Sequence, residues 1–180
     1  MNKATAADTP STVVVLGLGN VLRSDEGLGI HALHRLRERF LLPERVHLVD
    51  GGTLGLELLS YLEDADRVLA LDAALADGPP GTLLRLAGAE IPAFFGMRTS
   101  PHEIALPDLL AVARLRGTAP DEVVVLGMQP EALDLGWEVS PAVAAGLNGL
   151  ADAAAAELRR WGVIVERRPS AGEVADLCTS

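Results

Sequence analysis

The chain has 180 residues and a formal net charge of −10, and 49% of its residues are apolar. This length is typical of one domain with a sizeable core. The acidic balance excludes general binding to a nucleic-acid backbone or to an anionic membrane surface, because both require basic residues. No apolar run approaches the roughly 18 residues that cross a bilayer, and residues 1–11 lack the apolar stretch of a signal peptide. We therefore expect a cytoplasmic protein, and its single cysteine, Cys178, predicts no internal disulfide.

Strand-like and helix-like segments alternate along the chain. Continuous apolar, β-branched runs predict strands that are buried on both faces, whereas apolar residues at three- and four-residue spacing predict helices. We expect strands at 13–17, 46–50, 67–72, 82–86 and 122–127. We expect helices at 30–40, 54–62, 107–116 and 142–161. Pro43 ends the first helix, and a turn at 77–81 precedes the fourth strand.

This alternation predicts an α/β fold, in which a twisted, mostly parallel five-stranded sheet carries helices on both faces (α/β/α). We place a single domain at residues 12–165 and expect residues 1–11 and 167–180 to form flexible tails. In such sheets ligands bind beyond the carboxyl ends of the strands. The loops that follow the predicted strands are therefore the places to search for chemistry.

The first strand ends in a glycine pair, Gly17 and Gly19, which permits two interpretations. A dinucleotide-binding turn would need a third glycine three positions on, where this chain has Leu22. The simpler interpretation is a tight turn where the strand leaves the sheet. Ser24 and Asp25 follow, and we expect Ser24 to cap a helix and Asp25 to favour the helix dipole.

Three residues that follow strands or precede a helix are candidates for a metal site. Glu26 lies in the first loop, Asp72 ends the buried third strand, and His102 lies in a loop before a helix. A carboxylate at the end of a buried strand is costly unless it is paired or ligated. Two carboxylates and one imidazole suit a divalent ion such as nickel or zinc. The remaining histidines, at positions 31, 34 and 47, fall within helical or strand patterns and are expected to be structural.

Five motifs occur in order along the chain: Gly17-Leu18-Gly19-Asn20-Val21-Leu22 with Asp25-Glu26-Gly27-Leu28-Gly29, Asp50-Gly51-Gly52-Thr53-Leu54-Gly55, Asp72-Ala73, Ser100-Pro101-His102-Glu103, and Gly127-Met128-Gln129-Pro130-Glu131. With these motifs, at intervals similar to those of the family, the sequence resembles the hydrogenase maturation endopeptidases of nickel–iron hydrogenases. The resemblance extends over residues 13–161.

The resemblance implies an endopeptidase that removes a C-terminal extension from the nickel-loaded large-subunit precursor of a nickel–iron hydrogenase. It implies that Glu26, Asp72 and His102 contact metal and are the candidate catalytic residues, and that Asp50 supports the cleft. It also implies that the substrate supplies the nickel as a recognition element, so that no tightly held intrinsic metal is expected. We expect a monomer and an aspartic-type or metal-assisted peptide hydrolase, since no serine or cysteine nucleophile stands in a recognisable constellation.

Two rival interpretations remain open at this point. One is a non-catalytic nucleotide- or metal-binding module with a Rossmann-like sheet. The other is a general metallo-aminopeptidase, which would hold its own metal tightly and act on free peptides. Binding of a nucleotide would favour the first, and hydrolysis of unrelated peptides would favour the second.

Overall fold

The computed structural model describes residues 11–95 and 106–169, with the backbone alone at residues 94 and 95. In chain order its elements are β1 (Val13–Leu18), a 3₁₀ turn (Ser24–Gly27), α1 (Leu28–Arg39), β2 (Phe40–Leu41), β3 (Val46–Gly52), a second 3₁₀ turn (Gly55–Glu57), α2 (Leu58–Glu63), β4 (Arg67–Ala73), β5 (Leu83–Ala87), α3 (Glu90–Phe95), α4 (Leu106–Arg116), β6 (Glu122–Met128), α5 (Pro141–Arg160) and β7 (Glu166–Arg167).

The main sheet has five strands in the order β3-β1-β4-β6-β5, which confirms the predicted mostly parallel sheet. Strands β3, β1, β4 and β6 are parallel, whereas β5 is antiparallel to β6, with Leu83 opposite Met128. The direction of β5 follows from the loop before it, which stays at the edge where β4 ends. There Ala74 N–H donates to Met128 O at 2.9 Å and Gly81 N–H donates to Gln129 O at 2.9 Å. The chain therefore enters β5 from that edge.

Alternating side chains of the central strands fill two hydrophobic cores, one on each face of the sheet. In β1, Val13 and Val15 pack into the core that also contains α1 and α5. Val14 and Leu16 pack into the opposite core with residues of α2 and α4. All four side chains are at most 3% exposed, as expected for a parallel strand that helices cover on both faces. This arrangement confirms the predicted α/β/α layers.

Helix α5 shows how the sequence positions one of these covering helices. Ser140 caps its start by accepting a hydrogen bond from Val143 N–H at 3.3 Å, and Pro141 occupies the first turn, where its missing N–H costs nothing. Its buried apolar stripe recurs at three- and four-residue spacing and comprises Val143, Leu147, Leu150, Ala154 and Leu158. Burial of this stripe against the sheet fixes the orientation of the helix.

Two features extend the fold beyond the predicted elements. Strand β2 pairs with β7 in a small antiparallel sheet, and Arg168 N–H donates to Arg39 O at 2.8 Å. Backbone bonds therefore hold the chain through residue 168, beyond the residue 165 at which we placed the end of the domain. Helix α3 was also not predicted, since it is only six residues long and contains Pro92. No helix of the described residues is long and apolar enough to cross a membrane.

Candidate active site

The start of α1 lies directly over the carboxyl ends of β1 and β4. A Cβ atom on Gly17 would lie 2.9 Å from Gly29 O, and a Cβ on Gly29 would overlap the carbonyl oxygens of Leu18 and Leu71. Only glycine permits this approach, so the two residues bring the first loop close to the end of the third parallel strand. Gly17, the first glycine of the pair that ends β1, is therefore required for close packing of the chain.

Gly19 allows the turn that carries Glu26 to fold back against the end of β1. Its φ is +115°, and a Cβ on this residue would occupy the position of Glu26 O. Its N–H donates to Gly52 O at 3.1 Å, which joins the first loop to the end of β3. The space that a pyrophosphate would need beside this glycine is filled by the chain itself. The nucleotide-binding alternative is therefore not favoured.

Glu26 presents a carboxylate oxygen that lacks a hydrogen-bond donor. Its Oε2 atom is buried and receives no hydrogen bond from the described residues, although the side chain as a whole is 26% exposed. Arg23 Nε lies 3.1 Å from this oxygen as an ion pair, but its N–H is not directed as a hydrogen bond. A buried carboxylate oxygen with spare acceptor capacity is suited to a cation.

Asp72 is the second carboxylate at this edge, next to the position of Glu26. Burial raises the pKa of Asp72 to about 7; a hydrogen bond from Ala73 N–H to its Oδ1, 2.8 Å long, opposes the rise, and the negative charge of Glu26 adds to it. Close to neutral pH this group can both take up and release a proton. The structure thus brings Glu26 and Asp72 together as like charges at the carboxyl ends of the strands.

His102, the third candidate, lies outside the described residues, as does Cys178. Within residues 11–95 and 106–169, no group of three His, Cys, Asp or Glu side chains could hold a metal ion. The role of His102 as a ligand therefore stays a prediction.

Asp25 has a structural role that differs from the one expected. It is fully buried, and its carboxylate accepts hydrogen bonds from the backbone N–H groups of Glu131 at 2.8 Å, Ala132 at 3.0 Å and Ser140 at 2.6 Å. Burial alone would raise the pKa of Asp25, but these bonds outweigh it and hold the pKa below the usual 3.8. Asp25 thus fixes residues 131–140 against the first loop. Sequence reasoning missed this because its partners are more than 100 positions away.

Ser24 was expected to cap a helix, and this prediction was wrong. The residue has a φ of +47°, an uncommon conformation for a residue with a side chain. Its hydroxyl donates to Glu138 O at 2.8 Å and its N–H donates to Gly136 O at 2.8 Å. The contacts with residues 136–138 hold the turn in this conformation.

The segment at residues 50–53 adjoins the site without entering its carboxylate pair. Asp50 is exposed and lies in β3 opposite Gly17, so it stands at the same edge of the sheet. Gly52 O is bonded to the first loop through Gly19 N–H. The supporting role expected for Asp50 stays a prediction.

The other three histidines lie on α1 and β3. His34 and His47 are exposed. His31 is partly buried and its Nε2 atom has no hydrogen-bond partner among the described residues. Burial lowers the pKa of His31, and the nearby charges of His34 and Arg35 lower it further. This ring is therefore neutral at physiological pH and makes no described contact with the carboxylate pair.

These features define an α/β/α protein with two neighbouring carboxylates at the carboxyl ends of its parallel strands. The family described as hydrogenase maturation protease matches residues 30–157. The chain is 41% identical over 160 residues to the hydrogenase expression/formation protein HupD of Rhodobacter capsulatus, covering 88% of this chain and 76% of that protein. It is 36% identical to the hydrogenase 2 maturation protease of Escherichia coli K12, covering 84% and 93%.

The solved structure of the hydrogenase maturating endopeptidase HybD from E. coli superposes with a TM-score of 0.81 at 35% identity, covering 87% of this chain and 97% of that one. The chain belongs to the hydrogenase maturation protease family, and it is therefore a peptidase.

Proposed function

We propose that this protein removes a C-terminal extension from the nickel-loaded large-subunit precursor of a nickel–iron hydrogenase, acting as a cytoplasmic monomer. The substrate brings the nickel, and Glu26, Asp72 and His102 contact it. The observation that carries this proposal is the carboxylate pair: beside Asp72, a buried Glu26 oxygen is ion-paired with Arg23 but receives no hydrogen bond from the described residues. The family and its named relatives supply the reaction class.

The charges of the pair favour a metal-bearing substrate. Two carboxylates in a poorly solvated position repel each other, and a divalent cation between them would remove that repulsion. An oxygen-rich site with one imidazole suits nickel, and an open site accepts an ion that is still attached to another protein. Without such an ion the site is incomplete, so nickel can serve as the mark of a finished precursor.

The position of α4 supports the inclusion of His102. This helix leads into β6 and therefore runs opposite to the parallel strands, so its start at Leu106 lies at the carboxyl edge. Its far end is at the other edge, where Arg116 contacts Glu63 at 2.9 Å. Since His102 precedes Leu106 by four positions, the chain limits their separation to about 14 Å. The closeness of His102 in sequence to the start of α4 supports its inclusion in the proposed site.

The chemistry is a metal-assisted hydrolysis in which the substrate's nickel polarises the scissile carbonyl or an attacking water. A carboxylate of the pair accepts the proton that the water loses, because a general base must lie within reach of that proton. An aspartic-type reaction would use the same carboxylates and would not need nickel. The dependence of cleavage on nickel distinguishes the two.

The test is to incubate the purified protein with nickel-loaded and nickel-free precursors and to follow the C-terminus by mass spectrometry. We expect one cut near the C-terminus of the nickel-loaded form and no cut in the nickel-free form or in casein. Equal cleavage of both precursor forms would rule out nickel as the mark.

A pair of histidine variants tests the placement of the site. His102→Ala should abolish processing without lowering the melting temperature by more than a degree or so, because a loop side chain contributes little to a core. His34→Ala is the matched control, since this exposed side chain lies on α1; it should process normally. The same activity in both variants would contradict the assignment.

A further inference from the structure

A group of exposed apolar side chains lies beside the carboxylate pair. It comprises residues from the first loop and from the segment after β6, and we refer to it as the apolar patch: Val21, Leu22, Leu133, Leu135 and Trp137. Leu135 is 87% exposed and Trp137 is 79% exposed. Single exposed leucines are common on protein surfaces, but several exposed apolar side chains on two short segments, one of them a tryptophan, indicate a binding surface.

Hydrogen bonds hold the two segments of the patch together. Arg23 and Gly136 form a parallel β-bridge, Gly136 N–H donates to Leu22 O at 3.0 Å, and Ser24 N–H donates to Gly136 O at 2.8 Å. Because Leu22 precedes Arg23 and Leu135 precedes Gly136, these two leucines lie side by side. The buried carboxylate of Asp25 fixes the same segment through three further bonds. The backbone that carries the patch is therefore fixed by the fold.

Acidic residues surround the patch. Residues 129–140 contain Glu131, Asp134 and Glu138, all exposed, and no lysine or arginine. Other exposed acids at the same edge of the sheet are Asp50, Glu57 and Asp77. In the loops at this edge that the structure describes, the only basic side chain is Arg23, which is paired with Glu26. A partner that binds here gains from carrying positive charge.

We propose that the apolar patch is the docking surface for the large-subunit precursor, and that it receives a segment with apolar side chains flanked by lysine or arginine. This inference rests on the proposed function. The patch is continuous with the site, since residues 21–23 lead directly into the turn that carries Glu26. A folded precursor whose C-terminal region reaches the carboxylate pair is therefore also within reach of this surface.

The test measures steady-state cleavage of the nickel-loaded precursor by the full-length protein. In the double variant Leu135→Ala with Trp137→Ala we expect KM to rise at least about tenfold with kcat within about twofold, because the patch binds substrate away from the reacting bond. Leu115→Ala is the matched control, since Leu115 is 89% exposed on α4 away from the patch; its kinetics should equal those of the wild type.

A charge variant tests the contribution of the acidic residues near the apolar patch separately. Glu131→Gln with Asp134→Asn and Glu138→Gln should lower kcat/KM at low salt and weaken its dependence on ionic strength, because fewer opposite charges then attract the partner. An unchanged salt dependence would contradict a basic partner.

Two results would overturn the docking proposal. One is an unchanged KM in the apolar double variant. The other is a wild-type dimer in sedimentation that becomes monomeric in that variant, since the patch would then join copies of this chain. If the double variant loses its cooperative melt, Leu135→Ser alone replaces it. Failure of the wild type to cut any precursor would instead refute the proposed function.

Discussion

Asp25 and Glu26 are adjacent carboxylates in one short turn, and their surroundings give them different roles. Three backbone N–H groups satisfy Asp25, which is fully buried. Glu26 keeps a buried oxygen that is ion-paired with Arg23 but receives no hydrogen bond from the residues that the structure describes. A carboxylate that the fold has satisfied acts as part of the scaffold, whereas one that the fold leaves short of donors is available to a ligand. Residue type alone could not separate the two.

The scaffold role of Asp25 predicts a large loss of stability in Asp25→Ala. The substitution leaves three backbone N–H groups without an acceptor, and each costs about 1 kcal/mol or more. We expect the free energy of unfolding to fall by about 3 kcal/mol and the melting temperature by about 6–12 °C. Because the folded-state pKa of Asp25 lies below 3.8, the part of this contribution that depends on its charge is present above about pH 4 and is lost as pH falls through the folded-state pKa.

Chemical denaturation at pH 7 and pH 3 measures both effects. Asp134→Ala is the matched control, because it removes an exposed acid from the same segment and should change stability by less than about 0.5 kcal/mol. Equal stability of Asp25→Ala and the control would show that residues 131–140 are held by other contacts.

Among the structural elements, the 3₁₀ turn before α1 depends on Gly19. A side chain at Gly19 would meet both a positive φ and the carbonyl of Glu26. Gly19→Ala must therefore displace the turn and the carboxylate it carries. We expect a loss of about 2–4 kcal/mol in the free energy of unfolding and a fall of at least about a hundredfold in processing, because small displacements of catalytic groups are costly.

Gly88→Ala separates the effect of a positive φ from the effect of the clash with Glu26. Gly88 has a φ of +55°, but a Cβ there meets nothing within 4 Å. This control should lose about 1–2 kcal/mol from backbone strain alone and keep full processing. If Gly19→Ala behaves like this control, the clash with the turn has no consequence for the site.

The elements differ in how far local sequence predicts them. The buried strands β1, β4 and β6 were predicted because parallel strands with two covered faces leave continuous apolar runs. The antiparallel direction of β5, the β2–β7 pair and the anchor at Asp25 were not predicted, since each depends on partners distant in the chain. Glu26 and Asp72 were identified from their positions after predicted strands and then through the family motifs, whereas Trp137 gave no periodic signal.

At the scale of the whole molecule, the proposed ligands come from three separate parts of the chain. Glu26 follows β1, Asp72 ends β4 and His102 precedes α4 in sequence. A site built from all three would form only in the folded chain, so a metal ion bound there would stabilise the native state by mass action. At about 100 times the dissociation constant this adds about 2.7 kcal/mol. For a domain of this size we expect the melting temperature to rise by about 5–10 °C with excess nickel, cadmium or zinc.

Asp72→Asn connects this rise to the carboxylate pair. With the pKa of Asp72 at about 7, the folded state retains a proton that the unfolded chain loses near pH 4, so the unfolding free energy of the wild type falls as pH rises through this range. Asp72→Asn cannot ionise at this position, so its unfolding free energy does not fall with pH for this reason. It should therefore melt no lower than the metal-free wild type at pH 7.5. It should nevertheless gain less than half of the rise with metal, because it has lost a charged ligand.

Paired melts with chelator and with excess nickel, at pH 7.5 and pH 5.5, measure these effects. The wild-type rise should shrink at pH 5.5, because protons then compete with the ion for Asp72. Asp77→Asn changes an exposed turn residue, so it should gain as much from nickel as the wild type. An equal rise in Asp72→Asn and the wild type would show that the ion binds elsewhere. The melt of Cys178→Ser would then reveal whether the thiol near the C-terminus is the ligand, because a thiolate binds these ions strongly.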